Sequence, residues 1–246
     1  MRSPSWPKTF LFLVLLCRFA AQSFGALNEF YEANRLYEAG KFKEAAAQYD
    51  SILKHSGASA PVLFNLGNAY FKNGEIGRAI FNYRRAAKLA PRDPDIQANL
   101  GFARDRIAGS ASVQPPIWSH FVHYFTANEL SRAAAVLFWI CLSLLTLTRW
   151  RPSLRLTIRP YISISAILFL ICLAVLIPAI SKDDDAIAVQ SQLPVHLGPL
   201  PESQAAFTVP DGTELHIENR RDNWLQVSDR SNRTGWVEAS QVLVAP

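Results

Sequence analysis

Three cysteines in 246 residues are too few, and too scattered, for a disulfide framework. Cys17 falls in an N-terminal apolar run, and Cys141 and Cys172 sit inside longer ones, where packing is the expected role of a thiol. Catalytic motifs are missing as well. The chain has no glycine-rich phosphate loop, no nucleophile elbow and no His-Glu metalloprotease helix, so it reads as a non-enzyme without a cofactor. His120 and His123 stand one helical turn apart, but no acidic or sulfur ligand lies close by in sequence. Basic charge is also scarcer than the formal net +5 suggests. Arg2, Lys8 and Arg18 lie in the N-terminal leader described below, and without them the net charge is +2. Residues 26–132 carry 13 basic and 10 acidic residues, and residues 181–246 carry 5 and 10, which excludes nucleic acid as the expected partner.

Long apolar runs are what the chain does have. Residues 1–25 read as a signal peptide: Arg2 and Lys8, then Phe10 to Cys17, then Ser23 and Gly25 spaced for cleavage before Ala26. The run is far shorter than the roughly 20 residues an uncleaved anchor needs. Leu16 is too large to precede a lipidated Cys17. Two further runs, Ala133 to Thr148 and Tyr161 to Ile180, reach membrane-spanning length with their flanks. The loop between them, 149–159, holds Arg149, Arg151, Arg155 and Arg159 and no acid, whereas Lys182 and Asp183 to Asp185 follow the second run. The positive-inside rule makes that loop cytoplasmic and both flanking regions extracytoplasmic. Two buried helices of a soluble domain would leave four arginines in a tight turn without a reason. Thr126 and Glu129 form a capping-box pattern before the first span. The aromatic-rich segment 117–125, with the two histidines, is expected at the outer interface, and Trp150 and Tyr161 at the inner one.

Between leader and spans the chain repeats itself every 34 residues. Gly40, Ala45 and Tyr49 return as Gly74, Ala79 and Tyr83; Ala33, Gly67 and Gly101 share one register, as do Asn65 with Asn99 and Leu66 with Leu100. Such a period indicates stacked helix pairs, with small residues at the crossings. The second copy, Leu63, Leu66-Gly67, Tyr70, Ala79, Tyr83, Ala86 and Pro91, resembles the tetratricopeptide (TPR) repeat. The first copy departs from the pattern, with Glu29 and Glu32 in place of Leu63 and Leu66 and Gly57 in place of Pro91, as a solvent-facing end repeat would. A third copy starts with Asp93 as N-cap and Pro94 at the first helical position. Gly109 and the pair Pro115-Pro116 stop it early, so a lone first helix is expected to cap about two and a half repeats over 26–109, with a linker over 110–126.

After Ala186 the pattern changes to short alternating runs: Ile187-Val189, Pro194-Leu197, Glu214-Ile217, Trp224-Val227, Gly235-Val237 and Val242-Val244, with turns at Asp211-Gly212 and Arg221-Asp222-Asn223. Residues 186–246 resemble a bacterial SH3 (SH3b) domain through Asp-Gly-Thr, Asn223-Trp224-Leu225-Gln226-Val227 and Gly235-Trp236-Val237. Trp224 is expected in its core, and Trp236 is left open between core and surface. The fold class is therefore a multidomain membrane protein: an α-solenoid of TPR type, two transmembrane helices over 127–180, and a small all-β SH3-like barrel.

In TPR stacks the first helix of each pair lines a concave groove. That places Phe30, Asn34 and Tyr37 beside Phe64, Asn68 and Phe71, with Phe102 and Arg106 continuing from the third copy. Amides hold the backbone of an extended peptide and rings take its side chains, so these eight residues are the candidate partner-binding set. The alternative reading packs the aromatics between helices. The whole order of modules, with the stretch Leu89 to Leu100, Phe102-Ala103-Arg104 and Thr126-Ala127-Asn128-Glu129, resembles the E-type protein of the bacterial aerotolerance (Bat) operons. That resemblance implies an inner-membrane scaffold that works with von Willebrand A-domain membrane proteins and a MoxR-type ATPase. A different class is kept open: a cell-wall protein whose SH3b domain grips peptidoglycan.

Overall fold

The computed structural model describes residues 27–108, 125–180 and 185–244. The expected signal peptide, the stretch 109–124 with both histidines, and Lys182 to Asp184 lie outside the described residues. Five helices form the N-terminal module: α1 (27–38), α2 (Phe42–Ser56), α3 (Ala60–Lys72), α4 (Ile76–Leu89) and α5 (Pro94–Ala108). Asp93 starts α5 as expected, its Oδ1 accepting from the backbone N–H groups of Asp95 at 3.0 Å and Ile96 at 3.2 Å.

The period makes the packing repeat. Tyr49 and Tyr83 are buried at the centre of their helix pairs, with Ala33, Leu66, Ala45 and Ala79 around them. A Cβ on Gly67 would stand 2.6 Å from the Tyr83 ring, so only glycine lets α3 and α4 approach this closely. Gly101 holds the same register in α5, yet no described atom lies within 4 Å of where its Cβ would be. Among the described residues, no tyrosine from a following helix packs against Gly101 as Tyr83 packs against Gly67.

The membrane candidates are α6 (Ala127–Trp150) and α7 (Arg155–Ile180), an antiparallel pair joined by a single 3-10 turn, Pro152–Leu154. Ala127–Trp150 and Pro152–Ile177 are long and apolar enough to cross a membrane, with mean hydropathies of 1.9 and 2.6 over their most apolar stretches, of which only 11% and 6% is buried. The core helices of a soluble domain would be covered. Thr126 and Glu129 complete the capping box that starts α6. Helix extends into the expected 149–159 loop from both sides, leaving the arginines at helix ends around the 3-10 turn.

Residues 185–244 form a seven-stranded antiparallel sheet: β1 (Asp185–Ala188), β2 (Gln192–His196), β3 (Ala205–Pro210), β4 (Glu214–Arg221), β5 (Trp224–Ser228), β6 (Thr234–Glu238) and β7 (Val242–Val244). The order is β3-β2-β6-β5-β4-β1-β7, and one face of every strand enters a single core. Strand β3 has no counterpart in the sequence reading because it is an edge strand, exposed along most of its length with only Val209 buried, so its pattern carries little alternation. Trp224 corrects a second expectation. Leu225 and Val227 point into the core, so Trp224 and Gln226 take the outer face.

The sheet packs directly on the helices. Ile187 leaves the sheet core and is buried among Ile80, Leu100 and Ala103 of the repeats. The Asp211-Gly212 turn reaches α4 and α5: the Gly77 N–H donates to Asp211 Oδ1 at 3.1 Å, and a Cβ on Gly212 would collide with Ile107 and crowd Ile80. Gly212, at φ 87°, also adopts a backbone conformation that suits glycine. Glu214 receives Arg84 at 3.1 Å, Arg104 at 2.7 Å and Arg230 at 3.0 Å, and Arg84 also reaches Asp185 at 2.9 Å. Burial disfavours the Glu214 carboxylate, but the three guanidinium groups outweigh it and hold the carboxyl below its usual range.

The two register-matched glycines should respond oppositely. Gly67→Leu forces overpacking against Tyr83, a loss of roughly 1 to 3 kcal/mol or more, whereas Gly101→Ala relieves a helix-interior glycine and should gain up to about 1 kcal/mol. Amide-exchange protection of residues 60–108 in the full chain checks both; equal responses would invalidate the register.

Candidate functional site: the concave face of the repeats

Helices α1, α3 and α5 supply the concave face, and tyrosines from α2 and α4 reach through to it. The Tyr49 hydroxyl donates to Asn34 Oδ1 at 2.5 Å, and Asn65 Nδ2 donates to the same oxygen at 3.1 Å. One period later Tyr83 donates to Asn68 Oδ1 at 2.7 Å and Asn99 Nδ2 to the same atom at 2.8 Å. Each asparagine oxygen thus joins its own repeat's second helix to the next repeat's first. Burial pushes the Tyr49 phenol up to about 12, against the opposing effect of its Asn65 contact, and burial also raises Tyr83. Both phenols remain neutral donors.

Two cavities open on this face. One, about 290 Å³, is lined by Asn34, Tyr37, Glu38, Tyr49, Asn65 and Asn68; the other, about 220 Å³, by Tyr37, Asn68, Phe71, Lys72, Tyr83, Asn99 and Phe102. Tyr37 and Asn68 belong to both, so the cavities are consecutive stretches of one groove. The amide nitrogens of Asn34 and Asn68 and the amide oxygens of Asn65 and Asn99 bond to no described residue. Donor and acceptor amides therefore alternate along the groove, as an extended backbone with its alternating C=O and N–H groups requires.

Of the eight candidate residues, Asn34, Tyr37, Asn68, Phe71 and Phe102 line these cavities. Phe71 and Phe102 face each other with centroids 5.6 Å apart, and Phe102 is 62% exposed. Phe30 and Phe64 do not reach the cavities: each ring packs 6.0 Å from a buried tyrosine, Tyr49 and Tyr83 respectively, at the edge of the helical core. Arg106 is exposed and lines neither cavity. Asn65 and Asn99 are groove residues that the sequence reading left out of the site, although their 34-residue recurrence marked them. Glu38 and Lys72 share one register as well, and place opposite charges at the two cavities.

Residues 67–105 match the family model of the TPR repeat, and residues 189–243 match that of the bacterial SH3 domain. The chain carries both modules. No curated protein is significantly similar to the chain. The TPR match begins at Gly67, the tight crossing, and ends within α5, whereas the polar first copy lies outside it. The SH3 match spans β2 to β6 and takes in an outer face that carries Trp224, Gln226, Trp236 and His196. There the His196 Nδ1–H donates to the Ser203 carbonyl at 2.6 Å, and its ring meets Trp224 edge-on at 5.6 Å.

Because their oxygens already serve the ladder, Asn34 and Asn68 are structural as well as groove-lining. Asn34→Ala with Asn68→Ala should lower the stability of the repeats, by roughly 1 to 3 kcal/mol for each tyrosine and amide left without its partner. The thermal melt of the full chain in detergent, followed by circular dichroism, measures this; an unchanged midpoint would show that the ladder contributes nothing.

Proposed function

We propose that the protein is a non-enzymatic adaptor of the bacterial inner membrane whose extracytoplasmic TPR groove holds an extended segment of a partner protein. The observation that carries this reading is the groove itself: two consecutive cavities, alternating free amide donors and acceptors, and the Phe71–Phe102 pair at one end. TPR repeats are protein-interaction modules, and the amide pattern is complementary to backbone rather than to any one side chain. The two apolar helices anchor the chain, with the arginines of the α6–α7 turn on the cytoplasmic side. Resemblance to the aerotolerance operon proteins supports von Willebrand A-domain membrane proteins, with a MoxR-type ATPase system, as the partners. A second reading rests on the SH3 domain. Trp224 and Trp236 lie on its outer face with neither indole N–H bonded to a described residue, an aromatic surface suited to peptidoglycan.

A photoreactive phenylalanine at Phe102 should cross-link an envelope protein in intact cells, whereas the same group at exposed Ala47, on the second helix of repeat 1, should not. Phe71→Ala should suppress the Phe102 product. Identical products from both positions would remove the groove from the model of function, and retention of the chain by purified cell wall, lost with Trp224→Ala, would favour the second reading. Topology has its own check. In a background without the native cysteines, Ser153→Cys should react only with membrane-permeant maleimides and Ser231→Cys with impermeant ones; labelling of Ser153→Cys from outside would reverse the orientation.

A further inference from the structure

Each helix pair in a TPR stack needs the next pair to cover its outer face, and in this chain the last described pair is incomplete. Repeat 1 shows what the cover consists of. Ala46 of α2 is buried, Asp50 accepts from the Tyr70 hydroxyl of α3 at 2.7 Å, and Arg78 of α4 lies over the Tyr70 ring at 5.5 Å. Adding 34 residues turns Lys43, Ala46, Asp50 and Tyr70 into Gly77, Ile80, Arg84 and Arg104. All four of these meet the SH3 domain. The Gly77 N–H bonds to Asp211 and a Cβ on Gly77 would collide with the Ala188 carbonyl, Ile80 meets Gly212 and Ile187, and Arg84 and Arg104 close on Glu214.

The chemistry is inverted at equivalent positions. In the first seam an acid and a tyrosine meet an arginine from the following second helix; in the second seam two arginines meet an acid from the sheet. Lys43 is exposed, whereas Gly77 is buried, because sheet backbone occupies the space that a side chain at that register would fill. A glycine inside a helix is destabilising relative to alanine, so its place in α4 needs a packing reason, and the Ala188 carbonyl supplies one.

We infer that the SH3 domain is the end cap of the repeat stack, seated where the second helix of a third repeat would stack, and that repeats and sheet form one cooperative unit. This assigns strand β1 and the Asp211-to-Glu214 turn an occupant, the outer face of α4 and α5. It leaves the β2-β6-β5 face with Trp224 and Trp236 free. It also means that α5, which carries Asn99 and Phe102, is held from outside by the sheet. A chain truncated after α7 would leave Ile80, Ile107, Arg84 and Arg104 uncovered, so deletion of the SH3 domain is not a neutral test of the groove.

Gly77→Leu in the full chain separates this from two modules that merely touch. In a free helix the change improves helix propensity and slows exchange; at a seam it pushes the sheet away. Hydrogen exchange in detergent should accelerate roughly tenfold or more in α5 and in β1, while β5 and β6, remote from the seam, keep their protection and show that the sheet remains folded. Glu214→Gln, which adds no bulk, should act in the same direction, and Lys43→Leu, the same register in repeat 1, should leave α5 unchanged. Unchanged or slower exchange in α5 with both Gly77→Leu and Glu214→Gln would overturn the inference.

Discussion

One tyrosine per helix pair, Tyr49 and then Tyr83, sets the geometry of the repeats. Its ring occupies the space between the two helices, and that volume leaves room only for a small residue opposite, Gly67 in the second pair. Its hydroxyl is buried and must find an acceptor, which is the asparagine that directly follows the small residue at the crossing. That amide oxygen has a second lone pair, and the first helix of the next repeat fills it with Asn65 or Asn99. Packing within a repeat and stacking between repeats thus share one atom, so the 34-residue spacing is a physical requirement as well as a pattern.

The groove inherits its chemistry from that ladder. Because the oxygens of Asn34 and Asn68 point into the ladder, their nitrogens remain for a ligand, and because Asn65 and Asn99 donate their nitrogens, their oxygens remain. Stability and the proposed recognition draw on the same four amides. The aromatic rings divide differently. Phe30 and Phe64 sit beside the tyrosines and belong to the core, whereas Phe71 and Phe102 lie further along the helices and face each other in the groove.

The remaining elements position this groove. The Arg92 guanidinium pairs with Glu129 and lies over the Phe125 ring at 5.9 Å, tying the α4–α5 turn to the head of α6. Glu129 therefore serves twice, as the capping-box acid that starts the apolar helix and as the partner of a repeat residue. Across the molecule, Glu214 gathers arginines from α4, α5 and its own sheet around one largely buried carboxylate. An ion cluster of that kind requires closely matched geometry, because each charge taken from water must find its partner.

Much of this was legible in the residues alone. The period identified the helix pairs, the length and hydropathy of two runs identified α6 and α7, and Asp93, Thr126 and Glu129 marked helix starts, because these features depend on neighbours in sequence or on a fixed spacing. Strand β3 was not legible, because an exposed edge strand has little need of an alternating pattern. The inward or outward choice at Trp224 depended on which face of β5 met the core, and alternation alone is symmetric under that exchange. The division between Phe30 and Phe71 depended on where each ring falls relative to a tyrosine from another helix. Above all, the docking of the SH3 domain on α4 and α5 joins residues more than 100 positions apart. Gly77 in the first turn of α4 was its only local trace, and nothing in sequence could say whose backbone required that space. Periodicity and hydropathy are written along the chain, but the partner of a face is chosen only when distant segments compete to cover it, and here the sheet, with its acidic turn against two arginines, fits the last repeat.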